Sequence, residues 1–358
     1  MDITQSFGRF FMKATIFDVA REAGVSIASV SNALTGKKKV SAETRERILA
    51  AVARLGYEVD PLASSLKSRS SHIIGFIVPS IDSAFFPAVI GGLQSVLEKA
   101  GYIINFYATD FTAEREEKAI RSLLAGRADG IVLDSVSTDE TFLRSLSALE
   151  YSKKRVPVIA LERDLTRLGL SSIYADNHRG GRLAAAHLAA RGVQHPAHIC
   201  GRISAPWSKD RLDGFAEGLT AAGLSLDPAL TVRGDFSLHG GYLAAEQLIA
   251  TGIPFDSVFA ANDLMAVGAI KALTAHGLRV PEDVAVVGFD NTYISALTSP
   301  PVTTVDIPKR RLGEEAGAAI LRAIQTPSEC ERIPLPLQLI ERRSSNPLMP
   351  ADPIIEGF

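Results

Sequence analysis

Near its start the chain sets apolar residues at helical spacing. Ile16, Val19, Ala20 and Ala23 share one face of a helix that Gly24 can end in a left-handed conformation. Ser26 is placed to cap a second helix, in which Val30, Ala33 and Leu34 point inward. Ile27, Ala28, Ser29, Ser31 and Asn32 are left on or near its outer face. Ser41 caps a third helix, with Ile48, Leu49, Val52 and Leu55 as its buried stripe and Gly56 as its end. Two short helices joined by a tight turn, the second with small and hydrogen-bonding residues outside, have the shape to enter a DNA major groove. The alternative is an ordinary helical hairpin.

Beyond residue 72 the pattern becomes short apolar runs alternating with amphipathic stretches. Residues 73–79, 102–107, 131–133 and 157–160 read as buried parallel strands. Residues 87–100 and 113–125 read as the helices between them, which gives a doubly wound α/β lobe. The pattern then restarts, with strands at 197–201, 256–261 and 284–288 and helices at 211–222 and 264–276. The run from Gly92 to Ala100-Gly101 is echoed by the run from Gly214 to Ala222-Gly223, so the core is read as two similar lobes facing each other. Ligands sit at the C-terminal ends of such strands, and two facing lobes put those ends around one cleft.

Charge sharpens the division. Residues 13–69 hold 10 Lys and Arg against 6 Asp and Glu, net +4, in a chain of net −2. Residues 1–12 carry one Asp and one Arg, so the remaining body is −6. A basic head on an acidic body is expected when one part meets phosphate, and Lys37-Lys38-Lys39 lies between the second and third helices.

These residues carry a family resemblance. Thr15-Ile16-Phe17-Asp18-Val19-Ala20, Ala23-Gly24-Val25-Ser26, Val30-Ser31, Val40-Ser41 with Thr44-Arg45, Leu55-Gly56-Tyr57 and Pro61-Leu62-Ala63-Ser64-Ser65-Leu66 closely resemble the lactose-repressor (LacI/GalR) family of bacterial transcription regulators. The likeness runs on to Arg342-Arg343-Ser344-Ser345. It implies an all-α helix-turn-helix head (13–60), a hinge helix and linker (61–71), and a two-lobed, periplasmic-binding-protein-like α/β core (72–345). A tail follows (346–358), and residues 1–12 are expected to be an unstructured extension or an arm touching DNA, with Met12 a plausible alternative start. The resemblance further implies a homodimer on near-palindromic operator DNA, with Ile27, Ala28 and Asn32 choosing bases. Ser26, Ser29, Ser31 and Lys37 would grip phosphate, and Leu66 would wedge into the minor groove.

The residues just after each strand are the candidates for the cleft. Asp82, Ser83, Phe85 and Phe86 follow the first, and Glu162 and Arg163 follow the fourth. Trp207, Lys209 and Arg211 come after residue 201, then Asp235 and Phe236, Asn262 and Asp263, and Asp290 and Asn291. Aromatic rings beside Asp, Asn and Arg suit a polyhydroxylated ligand, because rings cover C–H faces while carboxylates and guanidinium take paired hydroxyls. The resemblance assigns effector contact to the positions of Phe85 or Phe86, Arg163, Arg211, Phe236, Asp263 and Asp290; Asp82 and Trp207 join them on the residue reading. Each has a plainer alternative: core packing for one of Phe85 and Phe86, a surface ion pair for Arg163, an N-cap for Asp263, a turn for Asp290 and a loop anchor for Trp207. Lys209 hints at an acidic or phosphorylated effector.

Other classes fit less well. The carboxylates of such a cleft could serve a cytosolic sugar-acting enzyme, but there is no nucleophile elbow, metal-spaced histidine pair or Gly-rich phosphate loop with Lys. No cofactor is expected. Cys200 and Cys330 form no metal-spaced pair and read as buried, reduced thiols of a cytosolic protein. No apolar run approaches the roughly 18 residues of a membrane helix, and no signal peptide is read at residues 2–11. The expected partners are operator DNA, a second copy of the chain and a small carbohydrate-like effector. A corepressor such as a nucleobase or sugar phosphate is the alternative. Pro347, Pro350 and Pro353 argue against a helical tail, which favours a dimer over a tail-built tetramer.

Overall fold

The computed structural model describes residues 14–35, 38–57, 70–202, 204–326 and 330–350. The expectations for Lys37, for Leu66 with most of the hinge, and for residues 1–12 lie outside the described residues. The chain divides into two compact units, Met1–Ser71 and His72–Phe358.

In the first unit, helices α1 (Ile16–Ala23), α2 (Ile27–Thr35) and α3 (Ala42–Leu55) follow the local stop and start signals. The Thr15 hydroxyl accepts from the Asp18 amide while the Asp18 carboxylate accepts from the Thr15 amide, closing a capping box. Gly24 and Gly56 end α1 and α3 at φ 63° and 60°. Val19, Val30 and Ile48 are fully buried and join α1, α2 and α3 into one small core. Leu49 departs from the expected stripe: it is 46% exposed, and Ala51 takes the inner position. Ile48, Ala51, Val52 and Leu55 are three and four apart, whereas Leu49 lies one residue round the helix from Ile48.

In the second unit the first lobe runs β1 (Ile73–Val78), α4 (Phe86–Leu97), β2 (Ile103–Ala108), α5 (Ala113–Ala125), β3 (Gly130–Leu133) and α6 (Glu140–Leu146). A small hairpin, β4 (Glu150–Tyr151) and β5 (Lys154–Arg155), precedes β6 (Val158–Leu161) and β7 (Ser171–Ala175). The second lobe runs α7 (Asn177–Ala190), β8 (Pro196–Cys200), α8 (Pro206–Ala221), β9 (Thr231–Arg233), α9 (Leu238–Ala250), β10 (Ser257–Ala260), α10 (Asp263–Ala275), β11 (Ala285–Asp290), α11 (Tyr293–Leu297) and β12 (Thr303–Asp306). Then α12 (Lys309–Gln325) and β13 (Arg332–Leu335) return to the first lobe, and β14 (Gln338–Ile340) to the second.

The first sheet has the order β13-β7-β6-β3-β1-β2 and is parallel throughout. The second has the order β14-β12-β11-β10-β8-β9 and is parallel except for β14. The lobes are therefore not consecutive segments, as the sequence reading has them. The chain crosses between them after β7, after β12 and after β13.

The duplication is visible in the helix packing. A Cβ on Gly92 of α4 would stand 2.0 Å from the Arg310 carbonyl of α12, and one on Gly214 of α8 would stand 1.9 Å from the His178 carbonyl of α7. Matching glycines let one helix pair in each lobe approach backbone to backbone. Around them lie fully buried Leu93 and Leu312 in the first lobe and Leu188 and Phe215 in the second.

Candidate functional site

The strand ends of the two lobes enclose a cleft of about 540 Å³. Of the nine cleft residues expected from sequence, Asp82, Phe85, Phe86, Trp207, Arg211, Phe236 and Asp290 line it. Arg163 and Asp263 do not. Arg163 turns back to donate to the carbonyls of Ser137 (2.7 Å) and Ser135 (3.4 Å). Asp263 is not the N-cap of its helix either, because the Asn262 side chain accepts from the Met265 amide and fills that role. The Asp263 carboxylate instead accepts from the Thr292 amide (2.6 Å), the Thr292 hydroxyl (3.0 Å) and the Thr304 hydroxyl (2.6 Å). Burial, then the charge of Asp290, pushes it up to about 7. It pins the turn after β11 to β12.

Helix α8 begins at Pro206, five residues before the helix expected from sequence, with proline at its first turn. Trp207 and Arg211 therefore stand on one face of a helix, and both are buried. Lys209 points away, 74% exposed and paired with Asp213, so it offers nothing to the cleft.

Arg211 is the centre of the second-lobe wall. It donates to Asn177 Oδ1 (2.8 Å) and to the Ala261 carbonyl (2.5 Å), and lies 3.3 Å from Asp290 Oδ1. Its guanidinium sits 3.7 Å above the Phe289 ring. Asp290 holds a left-handed backbone, φ 97°, and its carbonyl accepts from the buried Lys309 ammonium (2.5 Å). Phe236 lies over the end of β8, where a Cβ on Gly201 would come within 2.0 Å of its ring; only glycine leaves that room. Its ring stacks at 5.9 Å on Phe111 of the first lobe, and Trp207, Ala205 and Val136 pack beside the pair.

Further residues line the site, among them Arg202, Asp235 and His239. Glu162 and Asn262, which directly follow strands, both line the cleft, as do Asp134 and Phe111. Glu162 is 5% exposed, and burial outweighs the Arg211 charge to bring it up to about 7. Asp134, directly after β3, is 2% exposed and is pushed well above the usual carboxylate range by burial and then by Glu162. One oxygen of each has no hydrogen-bond partner.

On the head, Ile27 and Ala28 are exposed at the start of α2, and Ser29, Ser31 and Asn32 are half-buried along it. The Ser26 hydroxyl accepts from the Ser29 amide (3.1 Å) and contacts the Ser29 hydroxyl (2.9 Å), so capping already engages it. Cys330 is exposed and Cys200 half-buried, which corrects the expectation that both are buried; neither lies in the hydrophobic interior of its lobe. Among the described residues no helix is long and apolar enough to cross a membrane, and no group of three or more His, Cys, Asp or Glu is placed to hold a metal.

A small helical DNA-reading head and a two-lobed ligand-binding core in one chain define a ligand-responsive transcription regulator. Residues 15–60 match the family described as bacterial regulatory proteins, lacI family, and residues 185–345 match a periplasmic binding protein-like domain. The HTH-type transcriptional regulator DegA of Bacillus subtilis is 31% identical over 94% of this chain and 99% of its own length. A lac repressor dimer bound to operator and the anti-inducer ONPF superposes with TM-score 0.82 at 29% identity, over 93% of this chain and 99% of that one. A complex of the transcriptional regulator CelR with cellobiose does so with TM-score 0.68 at 30% identity, over 93% and 100%. The chain belongs to the LacI family. It is a DNA-binding transcription regulator with an effector-binding core, and not an enzyme.

Proposed function

We propose that the protein is a homodimeric, cytoplasmic repressor whose hold on operator DNA is set by a small carbohydrate-like molecule in the cleft. One observation carries the effector class: Phe86, Trp207 and Phe236 line the same cleft as Arg211, Asp290, Asn262 and Glu162. Rings for C–H faces beside paired acceptors and donors for hydroxyls are what a polyol needs. The CelR neighbour is a cellobiose complex, which supports the same class. A sugar phosphate has less support, because Lys209 pairs with Asp213 outside the cleft.

On DNA, α2 would lie in the major groove. Ile27 and Ala28 can read thymine methyls and shape, and Asn32 a base edge. Ser26, Ser29, Ser31 and Lys37 would hold phosphates, and Leu66 would kink the centre of the operator. Effector binding would change how the lobes sit, and with them the pairing of hinge segments, with a coupling of about 1–3 kcal/mol.

The test is fluorescence anisotropy of the full-length protein on an operator selected from random duplexes, titrated with monosaccharides and disaccharides. A sugar that shifts the operator Kd by about tenfold or more supports the reading and gives the sign of regulation. If nucleobases shift it and no sugar does, the carbohydrate reading is wrong. Asn32→Ala should relax specificity at one base pair, costing about 1–3 kcal/mol at that position.

A further inference from the structure

We propose that the effector carries a protonated amine, held between the carboxyl groups of Asp134 and Glu162 on the first-lobe side of the cleft. The inference rests on the carbohydrate reading and narrows it to amino sugars.

Four buried side-chain atoms among the described residues have no hydrogen-bond partner: Asp134 Oδ1, Glu162 Oε1, His198 Nε2 and Ser257 Oγ. Only the first two belong to residues lining the cleft. They come from neighbouring strand ends, β3 and β6, which pair in parallel. The two carboxyl groups are close enough for the charge of Glu162 to raise Asp134. A buried polar atom without a partner is costly, so two of them on neighbouring residues that line one cleft call for an explanation.

The charged groups around them are in part engaged by other partners. Asp134 faces Glu162, Glu116, Arg163 and Arg211. Glu116 is satisfied by the Ser135 hydroxyl and the Val136 amide. Arg163 spends a donor on two carbonyls, and Arg211 spends its own on Asn177, Ala261 and Asp290. Glu162 faces Arg211, Asp290 and Lys309, and the Asn177 side chain also supports its charged form by a hydrogen bond. Its Oε2 is 3.9 Å from the Arg211 guanidinium, farther than Asp290 is. The Lys309 ammonium is bound to the carbonyls of Asp290, Asn291 and Ile307. With every group ionised, the carboxyl groups of Asp134, Glu162, Glu116 and Asp290 outnumber the cations Arg163, Arg211 and Lys309.

Ligand chemistry follows from that excess. An ionised carboxylate only accepts, and a phosphate would set acceptor against acceptor. A hydroxyl donates one hydrogen, whereas an ammonium donates three and brings the missing charge. Binding a cation holds both carboxyl groups ionised. Protons are therefore released on binding, and affinity falls on acidification through the Glu162 value of about 7.

The experiment is calorimetric titration of the full-length protein with glucosamine, galactosamine, mannosamine and the β-linked glucosamine dimer. Each is compared with its neutral parent, its N-acetyl form and, for the monosaccharides, its 6-phosphate. We expect one free amine to bind at least about tenfold tighter than its neutral and N-acetyl counterparts. It should release protons, seen as a buffer-dependent heat at about pH 6.5. Asp134→Asn and Glu162→Gln should each reduce that preference to about threefold or less. A neutral sugar binding as tightly as its amine would overturn the inference and leave the carbohydrate reading standing. An amine preference that survives both substitutions would overturn the assignment to these residues. If no carbohydrate of any series binds, both readings fall.

Discussion

The two faces of the cleft are built on opposite terms. On the second-lobe face nearly every polar group is matched: Arg211 has four partners counting the Phe289 ring, Asp263 has three donors, and Asn262 caps α10 while donating to the Phe236 carbonyl. On the first-lobe face Asp134 and Glu162 each keep an unpartnered buried oxygen. A matched face is fixed before any ligand arrives, which lowers the ordering cost of binding. An unmatched face costs stability in the free protein, and a ligand with the right donors relieves that cost. One lobe positions the ligand, and the other discriminates between ligands.

The comparison is broken most strongly at Arg211. Removing it leaves Asp290 as a buried carboxylate that has lost its guanidinium partner, 3.3 Å away. Arg211→Ala should cost about 3–5 kcal/mol in urea unfolding. A loss below about 1 kcal/mol would mean that the second-lobe face is not held as described. Next comes Asp263→Ala. It strands the Thr292 amide and the Thr304 hydroxyl and should cost about 2–4 kcal/mol. The same variant separates two roles for this residue. As a pin, Asp263 affects stability first, and Asp263→Asn should recover much of it; as a ligand contact, it would affect binding without unfolding.

The sequence shows some of this and hides the rest for identifiable reasons. The head is legible because its signals are local: Thr15, Ser26 and Ser41 start helices, and Gly24 and Gly56 end two of them. The strands of both lobes are legible as apolar runs. The exchange of α12, β13 and β14 between lobes is not, because a parallel pairing such as Arg332 with Ser172 has no local signature.

Within the site, the misses share a cause. In the pairs Glu162-Arg163 and Asn262-Asp263 the first residue lines the cleft and the second turns away, the reverse of the expectation from sequence. Glu162 has already left the strand with a left-handed backbone, φ 60°, and Asp263 is the first residue of α10 after its cap Asn262, so strand-end position alone does not give the direction of the side chain. Asp134 had an available signal, since it follows Ile131-Val132-Leu133 just as Asp82 follows β1 by a few residues. The Trp207 and Arg211 positions were right in space although α8 starts earlier than its polar first turns suggest.

The first-lobe face is tested by removing its charge. Asp134→Asn and Glu162→Gln should each stabilise the ligand-free protein at neutral pH by about 1–3 kcal/mol. The pH sign is definite. The folded value of Glu162, about 7, lies above its ordinary 4.5. Its contribution is therefore fully present below about pH 4.5 and lost as pH rises through about 7. The advantage of Glu162→Gln over the parent should grow from about pH 5 to about pH 8. Buried His198, held down to about 4 by burial, acts the other way and destabilises the fold as pH falls below about 6.5. It is common to parent and variant and cancels in their difference. An advantage that shrinks with rising pH would mean that Glu162 is already paired in solution.

The smallest effect is expected where the two faces touch. Phe111 follows β2 and Phe236 follows β9, and their rings stack nearly parallel, 11° apart, with the Arg202 guanidinium 4.9 Å from Phe111 on the same side of the molecule. Both residues hold left-handed backbones, at φ 59° and 71°, so each ring is presented by a strained turn. Such a pair is worth about 0.5–1.5 kcal/mol beyond the area it covers. It links the matched face to the unmatched one, with Phe236 at the margin of the second-lobe core. Phe111→Ala should therefore change global unfolding by only about 1 kcal/mol. It should raise the average separation of the lobes, seen by small-angle scattering as a larger radius of gyration, and weaken ligand affinity about threefold to tenfold. Phe236→Ala should give the same result, and the double substitution should add little to either, because both remove one contact. Full additivity of the two would show that the rings act on their own lobes and that the faces are coupled elsewhere.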